Sequence, residues 1–257
     1  RESGEELLVT EPTYRPDVTL EADLIEEIAR IHGFDRVPGT LPTGLNTQGT
    51  MSREQALTAA VRNCLASDGL YEVITYSFTH PRVWDKMNLP ADSPLRNAVK
   101  LQNPLSEEHS VMRTLMLPGL LETLARNYSR RVQNGAIFEL GCVYYPQPEG
   151  GLPEERQVLA AAAMGTAEAG WNSPARKFDF FYLKGVLENL FSYLRTEKVS
   201  FHPETDNPSF HPGRTAWLEV GGKRLGVLGE LHPDVVENFE LPEHVVAFEL
   251  DLELLLT

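Results

Sequence analysis

Hydrophobic positions along this chain switch between two periods. Between positions 20 and 31, Leu24, Ile25, Ile28 and Ile31 recur at helical spacing, and Gly33 follows as a stop signal. Positions 52–67 repeat the pattern through Leu57, Val61, Cys64 and Leu65, with Ser52 placed as an N-cap and Gly69 as terminator. Helices are also predicted over 81–87, 118–130 and 179–194, with Pro118 suited to a first turn. Strand signatures occupy 6–9, 72–78, 136–145, 157–164, 215–220, 223–231 and 245–252, and Gly221–Gly222 reads as a hairpin turn. Strands come in neighbouring groups and do not alternate strictly with helices. That order predicts an α+β fold, an antiparallel sheet with helices packed on it, over a doubly wound parallel sheet. A stretch rich in Pro, Gly, Thr and Asn at 37–49 reads as a linker. The expected organisation is a small domain at 1–40, a linker at 41–50 and a larger domain at 51–257.

Composition narrows the class. The 257 residues are 42% hydrophobic and 23% charged, within the globular range. With 23 Lys and Arg against 37 Asp and Glu, the formal charge is −14, which argues against a broad grip on a phosphate backbone and leaves room only for a local basic patch. Two cysteines, Cys64 and Cys142, sit in apolar periodic stretches and fit core positions in a reducing compartment. No run approaches the roughly 18 apolar residues of a membrane span. The chain opens on Arg1 without Met and without an apolar signal core, so a piece of a longer chain, free of a secretory signal and cytoplasmic, is expected.

Three polar features carry candidate chemistry. On the first helix Asp23, Glu26 and Glu27 share the face opposite the isoleucines, with Asp17 just before it. Crowded carboxylates repel one another, and a hard cation such as Mg²⁺ would relieve them; a solvated face with acids near a helix N-terminus fits the same pattern. The segment Ala125-Arg-Asn-Tyr-Ser-Arg-Arg131 combines Arg126, Arg130 and Arg131 with an aromatic, suited to RNA or an acidic partner surface, although such a helix end is more often a solvated face. Between strands, His211-Pro-Gly-Arg214 sets a Gly beside a polar pair, and a plain loop explains it as well. Gly-rich phosphate loops, Cys-x-x-Cys pairs and a nucleophile-elbow serine are all missing from the sequence.

Several longer motifs resemble one family. Pro12-Thr-Tyr-Arg-Pro-Asp17 with Glu21-Ala-Asp-Leu-Ile-Glu-Glu-Ile-Ala-Arg-Ile-His-Gly-Phe34 is similar to the bacterial phenylalanyl-tRNA synthetase beta subunit, at the end of the small domain before that subunit's core. The likeness continues in Leu101-Gln-Asn-Pro-Leu-Ser106, Met112-Arg-Thr-Leu-Met-Leu-Pro-Gly-Leu-Leu121, Phe138-Glu-Leu-Gly141, Gly226-Val-Leu-Gly-Glu-Leu-His-Pro233 and Phe248-Glu-Leu-Asp251, so it covers nearly the whole chain. The resemblance implies a class II synthetase-like core. It also implies an enzyme that joins phenylalanine to tRNA with ATP and Mg²⁺, as a heterotetramer of two alpha and two beta subunits with the chemistry in alpha. By the same resemblance, Asp17, Asp23, Glu26 and Glu27 correspond to the family's Mg²⁺ ligands, in a site shared with the alpha subunit. A working class II site carries an Arg two residues before an acid on its second signature strand. Here that strand reads Ala136-Ile-Phe-Glu139, with Ile137 in the Arg position. Without a guanidinium the bidentate grip on phosphate is lost, so a non-catalytic module that docks the alpha subunit and helps place tRNA is expected. Two alternatives are a free-standing ATP-using enzyme with a diverged site, and a metal-dependent phosphoryl-transfer enzyme built on the acidic helix.

Overall fold

Side chains alternate across the central strands, and both faces of the resulting sheet are covered. A computed structural model of the chain describes residues 2–3, 6–44, 49–148, 150–172, 174–196 and 198–256. In order, its elements are β1 (Glu2–Ser3), β2 (Glu6–Leu7), α1 (Glu21–His32), α2 (Arg53–Ser67), β3 (Tyr71–Glu72), β4 (Phe78–Thr79), α3 (Val83–Lys86), β5 (Val111–Met112), α4 (Leu117–Ser129), β6 (Gly135–Tyr145), β7 (Glu154–Met164), β8 (Thr166–Ala167), β9 (Arg176–Lys177), α5 (Phe180–Leu194), β10 (Ser200–Pro203), β11 (Phe210–Val220), β12 (Lys223–Leu231), α6 (Pro233–Asn238), β13 (Val245–Asp251) and α7 (Leu252–Leu256). The chain divides into two compact units, 1–50 and 51–257.

The larger unit holds a seven-stranded sheet in the order β10-β11-β12-β13-β7-β6-β3. Its ladders are antiparallel except at one edge, where β3 runs parallel to β6 through Tyr71↔Ile137 and Glu72↔Phe138. An α+β fold with a mostly antiparallel sheet is therefore what the sequence order specifies. On one face, Phe138, Leu159, Ala161, Phe248 and Leu250 pack against Val61 and Leu65 of α2 and Leu183, Leu187 and Leu190 of α5. On the other, Ile137, Ala160, Ala162, Val245 and Ala247 meet Leu117, Leu120, Leu121 and Leu124 of α4 and Val235 and Val236 of α6. Period-two alternation in β6, β7 and β13 produces this division. Ser52 caps α2, accepting from the Gln55 N–H at 3.1 Å while the Gln55 side chain accepts from the Ser52 N–H at 2.9 Å. Gly221 and Gly222, at φ +55° and +77°, close the β11–β12 hairpin.

The strand expected over 72–78 is a correction. Only its ends pair, β3 with β6 and β4 with β5. Between them two further ladder bonds form, from the Val73 N–H to the Phe138 carbonyl and from the Arg113 N–H to the Ser77 carbonyl, both at 2.9 Å. Ile74 and Tyr76 are left outward, 91% and 78% exposed. In the smaller unit α1 forms as expected, with Ile25, Ile28 and Ile31 exposed on it.

Candidate functional site

Arg113 and Glu139 form the strongest polar constellation of the larger unit, beneath the α4 layer. Glu139 is the acid of the Ala136-Ile-Phe-Glu139 strand, and β6 directs it and Ile137 to the same face. Ile137 is buried in the apolar cluster under α4. The guanidinium for Glu139 comes from the turn after β5. Arg113 Nη1 donates to Glu139 Oε1 at 2.9 Å and to Thr75 Oγ1 at 3.0 Å, and its Nε donates to the Cys142 carbonyl at 2.8 Å. Thr75 Oγ1 in turn donates to Glu139 Oε2 at 2.6 Å. Arg113 and Glu139 are both buried. Gly141 makes room for the pair, because a Cβ there would lie 2.4 Å from Arg113 Nη2. A buried charge pair whose carboxylate is held by a guanidinium and a hydroxyl from within the protein is a structural tie. Sequence reasoning missed Arg113 because it stands 26 positions from its partner; the quoted Met112-Arg-Thr motif was the available signal.

A second acid on this face, Glu249 of β13, stands under the start of α4. Its Oε2 accepts from the Met116 and Leu117 N–H groups at 3.1 and 3.0 Å, capping the helix from another element. Burial pushes this carboxyl up to about 7, against the pull of those two backbone donors and of Arg113. Nearby, burial pushes the Tyr145 phenol up to about 12.

The smaller unit places the four acids singled out from the sequence as follows. Asp23 Oδ2 accepts from the Leu20 and Thr19 N–H groups at 2.7 and 2.8 Å, which caps α1 and holds its carboxyl below the usual range. Arg15 Nη2 bridges Asp17 Oδ2 at 2.8 Å and Glu27 Oε1 at 2.6 Å, and Arg30 bonds the other Glu27 oxygen. Arg15, then Arg30, draw Glu27 down to about 2, and Arg15 holds Asp17 below its ordinary value. Glu26 is exposed on α1. In this arrangement the acids do not fit a ready-made cation site. A guanidinium stands between Asp17 and Glu27, and among the described residues no group of three or more His, Cys, Asp or Glu side chains is placed to hold a metal.

Arg126, Arg130 and Arg131 lie exposed at the C-terminal end of α4. Of the three, Arg126 lines a cavity of ≈ 970 Å³ with Tyr76, Phe78, Arg82, Lys86, Glu107 and Glu122. His80 and His232 act at turns: the Nδ1 of each accepts a backbone N–H two residues on, from Arg82 and Asp234.

Comparison with known proteins gives this geometry a family. Residues 37–252 match the phenylalanyl-tRNA synthetase beta chain CLM domain, and residues 1–34 match the tRNA synthetase B5 domain. The phenylalanine–tRNA ligase beta subunit of Moorella thermoacetica is 51% identical over 245 residues, covering 95% of this chain and 30% of the relative. That of Clostridium acetobutylicum is 43% identical over 254 residues, covering 98% and 31%. This chain thus spans about a third of the length of the curated relatives it matches. In fold it is similar to pyrrolysyl-tRNA synthetase of Desulfitobacterium hafniense, with TM-score 0.61 at 17% identity over 99% of this chain and 84% of that one. A second structure, of PylSc from the same organism, gives TM-score 0.58 at 20% identity over 78% and 64%. With most of its length matched by that family's core domain, the chain belongs to the phenylalanyl-tRNA synthetase beta chain CLM domain family.

Proposed function

We propose that this chain is the beta-subunit portion of a phenylalanine–tRNA ligase and works as a docking module for the alpha subunit. The whole enzyme, an alpha2beta2 heterotetramer in the cytoplasm, attaches phenylalanine to tRNA with ATP and Mg²⁺, and the alpha subunit performs the chemistry. The observation that carries this reading is the row of exposed apolar side chains over 71–78. Tyr71, Ile74, Tyr76 and Phe78 are left outward on the sheet edge formed by β3 and at β4. Large apolar side chains grouped at an edge mark an association surface. The internal Arg113–Glu139 pair supports the non-catalytic half of the reading, since the guanidinium that meets Glu139 is committed to its carboxylate.

Within this reading residues 1–40 are the end of a small metal-binding α/β domain, 41–50 a linker and 51–257 the core. Of the candidate ligands Asp17, Asp23, Glu26 and Glu27, Asp17 and Glu27 already receive from Arg15 and Arg30 the countercharge that a cation would supply. Mg²⁺ binding at these acids therefore belongs to the assembled ligase, where a partner draws Arg15 away. Calorimetric Mg²⁺ titration should show binding in the complex and none in the chain alone.

Size exclusion of the chain mixed with the alpha subunit tests the docking role. A stable complex is expected, with Ile74→Asp/Tyr76→Asp abolishing it. Phenylalanine-dependent pyrophosphate exchange by the chain without alpha would overturn the reading.

A further inference from the structure

The motif His211-Pro-Gly-Arg214 interrupts the sheet. The β11–β12 ladder passes from Phe210↔Leu231 directly to Thr215↔Gly229, so residues 211–214 bulge out of register. Bulges re-aim side chains, and this one sets Arg214 at the mouth of a concavity of ≈ 690 Å³ beside the start of α5. That volume falls within the roughly 300–1,000 Å³ of small-ligand sites. Thr215 Oγ1 donates to the His211 carbonyl at 2.6 Å and the Gly213 N–H donates to His211 Nδ1 at 3.1 Å, which fixes the bulge.

The lining is cationic and aromatic in a chain of net charge −14. Lys177, Lys184 and Arg214 converge on it, with Phe201 at its wall and Phe181, 75% exposed, at its rim. Both acids of the lining are already engaged. Asp179 caps α5, accepting from the Tyr182 N–H at 2.8 Å, and Glu230 accepts Arg214 Nη1 on both oxygens at 2.9 and 2.8 Å while His244 Nδ1 stands 2.7 Å away. Arg214 keeps its Nε and Nη2 donors without a partner among the described residues, and Lys177 has no ion pair there. The Lys184 ammonium, paired with Glu188, lies 4.8 Å over the Phe201 ring.

We propose that this concavity is a single-stranded RNA site for one splayed nucleotide, its phosphate on Lys177, Lys184 and Arg214 and its base against Phe201 and Phe181. Free guanidinium donors beside two ammonium groups match a phosphate. Ring faces flanked by cations are the means by which unpaired bases are held, and a concavity of this size admits one unstacked base and not a duplex. An acidic peptide would use the cations and leave the rings idle. The ligase reading enters only in naming the strand, an unpaired tRNA segment.

The test is fluorescence anisotropy of a labelled RNA hexanucleotide with the purified chain, with AMP and a poly-glutamate peptide as competitors and an RNA hairpin stem as control. Saturable binding is expected, competed by AMP, falling with salt and absent for the stem. Lys177→Glu/Lys184→Glu and, separately, Arg214→Gln should each weaken it about tenfold or more, with melting curves confirming folded variants. Arg126→Ala/Arg130→Ala/Arg131→Ala should leave it unchanged. No binding overturns the site. So does loss with the Arg126 set alone, binding of AMP but not RNA, equal binding of the stem, or displacement by the peptide with no effect of AMP. Complex formation with the alpha subunit, run on the same samples, separates the two ideas. A chain that joins alpha but ignores RNA overturns this site alone, and one that binds RNA here but ignores alpha overturns only the docking role.

Discussion

At the residue scale, the buried Glu139 and the half-buried Glu249 on the α4 side of the sheet behave differently because their partners differ. Glu139 has a guanidinium and a hydroxyl; Glu249 has two backbone N–H groups. Removing Arg113 leaves Glu139 as an uncompensated buried charge, so Arg113→Met should cost about 3–5 kcal/mol in denaturant unfolding. The double variant Arg113→Met/Glu139→Met should lose less than Arg113→Met alone, which a double-mutant cycle reads directly. For Glu249 the folded-state carboxyl sits at about 7 against an ordinary 4.5, so the native chain holds a proton that the unfolded chain has given up. Its contribution to stability is complete below about pH 4.5 and is lost as pH rises through about 7. Glu249→Gln should flatten the stability profile between those values, a difference on the order of 3 kcal/mol at the top of the window. Thermal melts from pH 4 to 8 would show it, and parallel wild-type and variant profiles would refute it.

At the scale of elements, local signals were legible and long-range ones were not. Helix α2 is written in Ser52, its apolar spacing and Gly69, and the observed capping box agrees with each mark. Ser52→Ala should cost about 1 kcal/mol, seen as a lowered melting temperature with unchanged contacts elsewhere. The hairpin at Gly221–Gly222 was equally local. The stretch 72–78 misled because Val73, Ile74, Tyr76 and Phe78 have strand composition, while only the two-residue strands Tyr71–Glu72 and Phe78–Thr79 form. Exposed apolar side chains such as Ile74 and Tyr76 look, in sequence, like those of a strand. Short β10 ends on Pro203 and was invisible for that reason, as was α6, whose six residues are too few for a periodic signal. The candidate site divides the same way. The acids of α1 were legible as a row, whereas Arg15 between two of them and Arg113 against Glu139 depend on turns whose course spacing does not encode.

For the molecule as a whole, charge and apolar exposure set two different surface patches apart. Fourteen excess negative charges keep a broad phosphate surface away. An uncovered apolar row at one sheet edge and a cationic hollow at the HPGR bulge are two departures from that background among the described residues. Because Ile74 and Tyr76 are almost fully outward, Ile74→Asp/Tyr76→Asp should shift the melting temperature by no more than about 2 °C while reducing binding of a hydrophobic dye. A larger drop in melting temperature would mean that the row supports the fold.

The run Ala160–Ala163 in β7 carries a consequence for how such a scaffold can change over time. Each of these four methyls is fully buried, and they alternate between the α4 layer and the α2/α5 layer. A single enlarged methyl therefore presses on one helical layer and spares the other. Ala161→Val would shift α2 or α5, and Ala162→Val would shift α4. A lineage could in this way retune the layer that holds the Arg113–Glu139 tie without disturbing the layer on the opposite side.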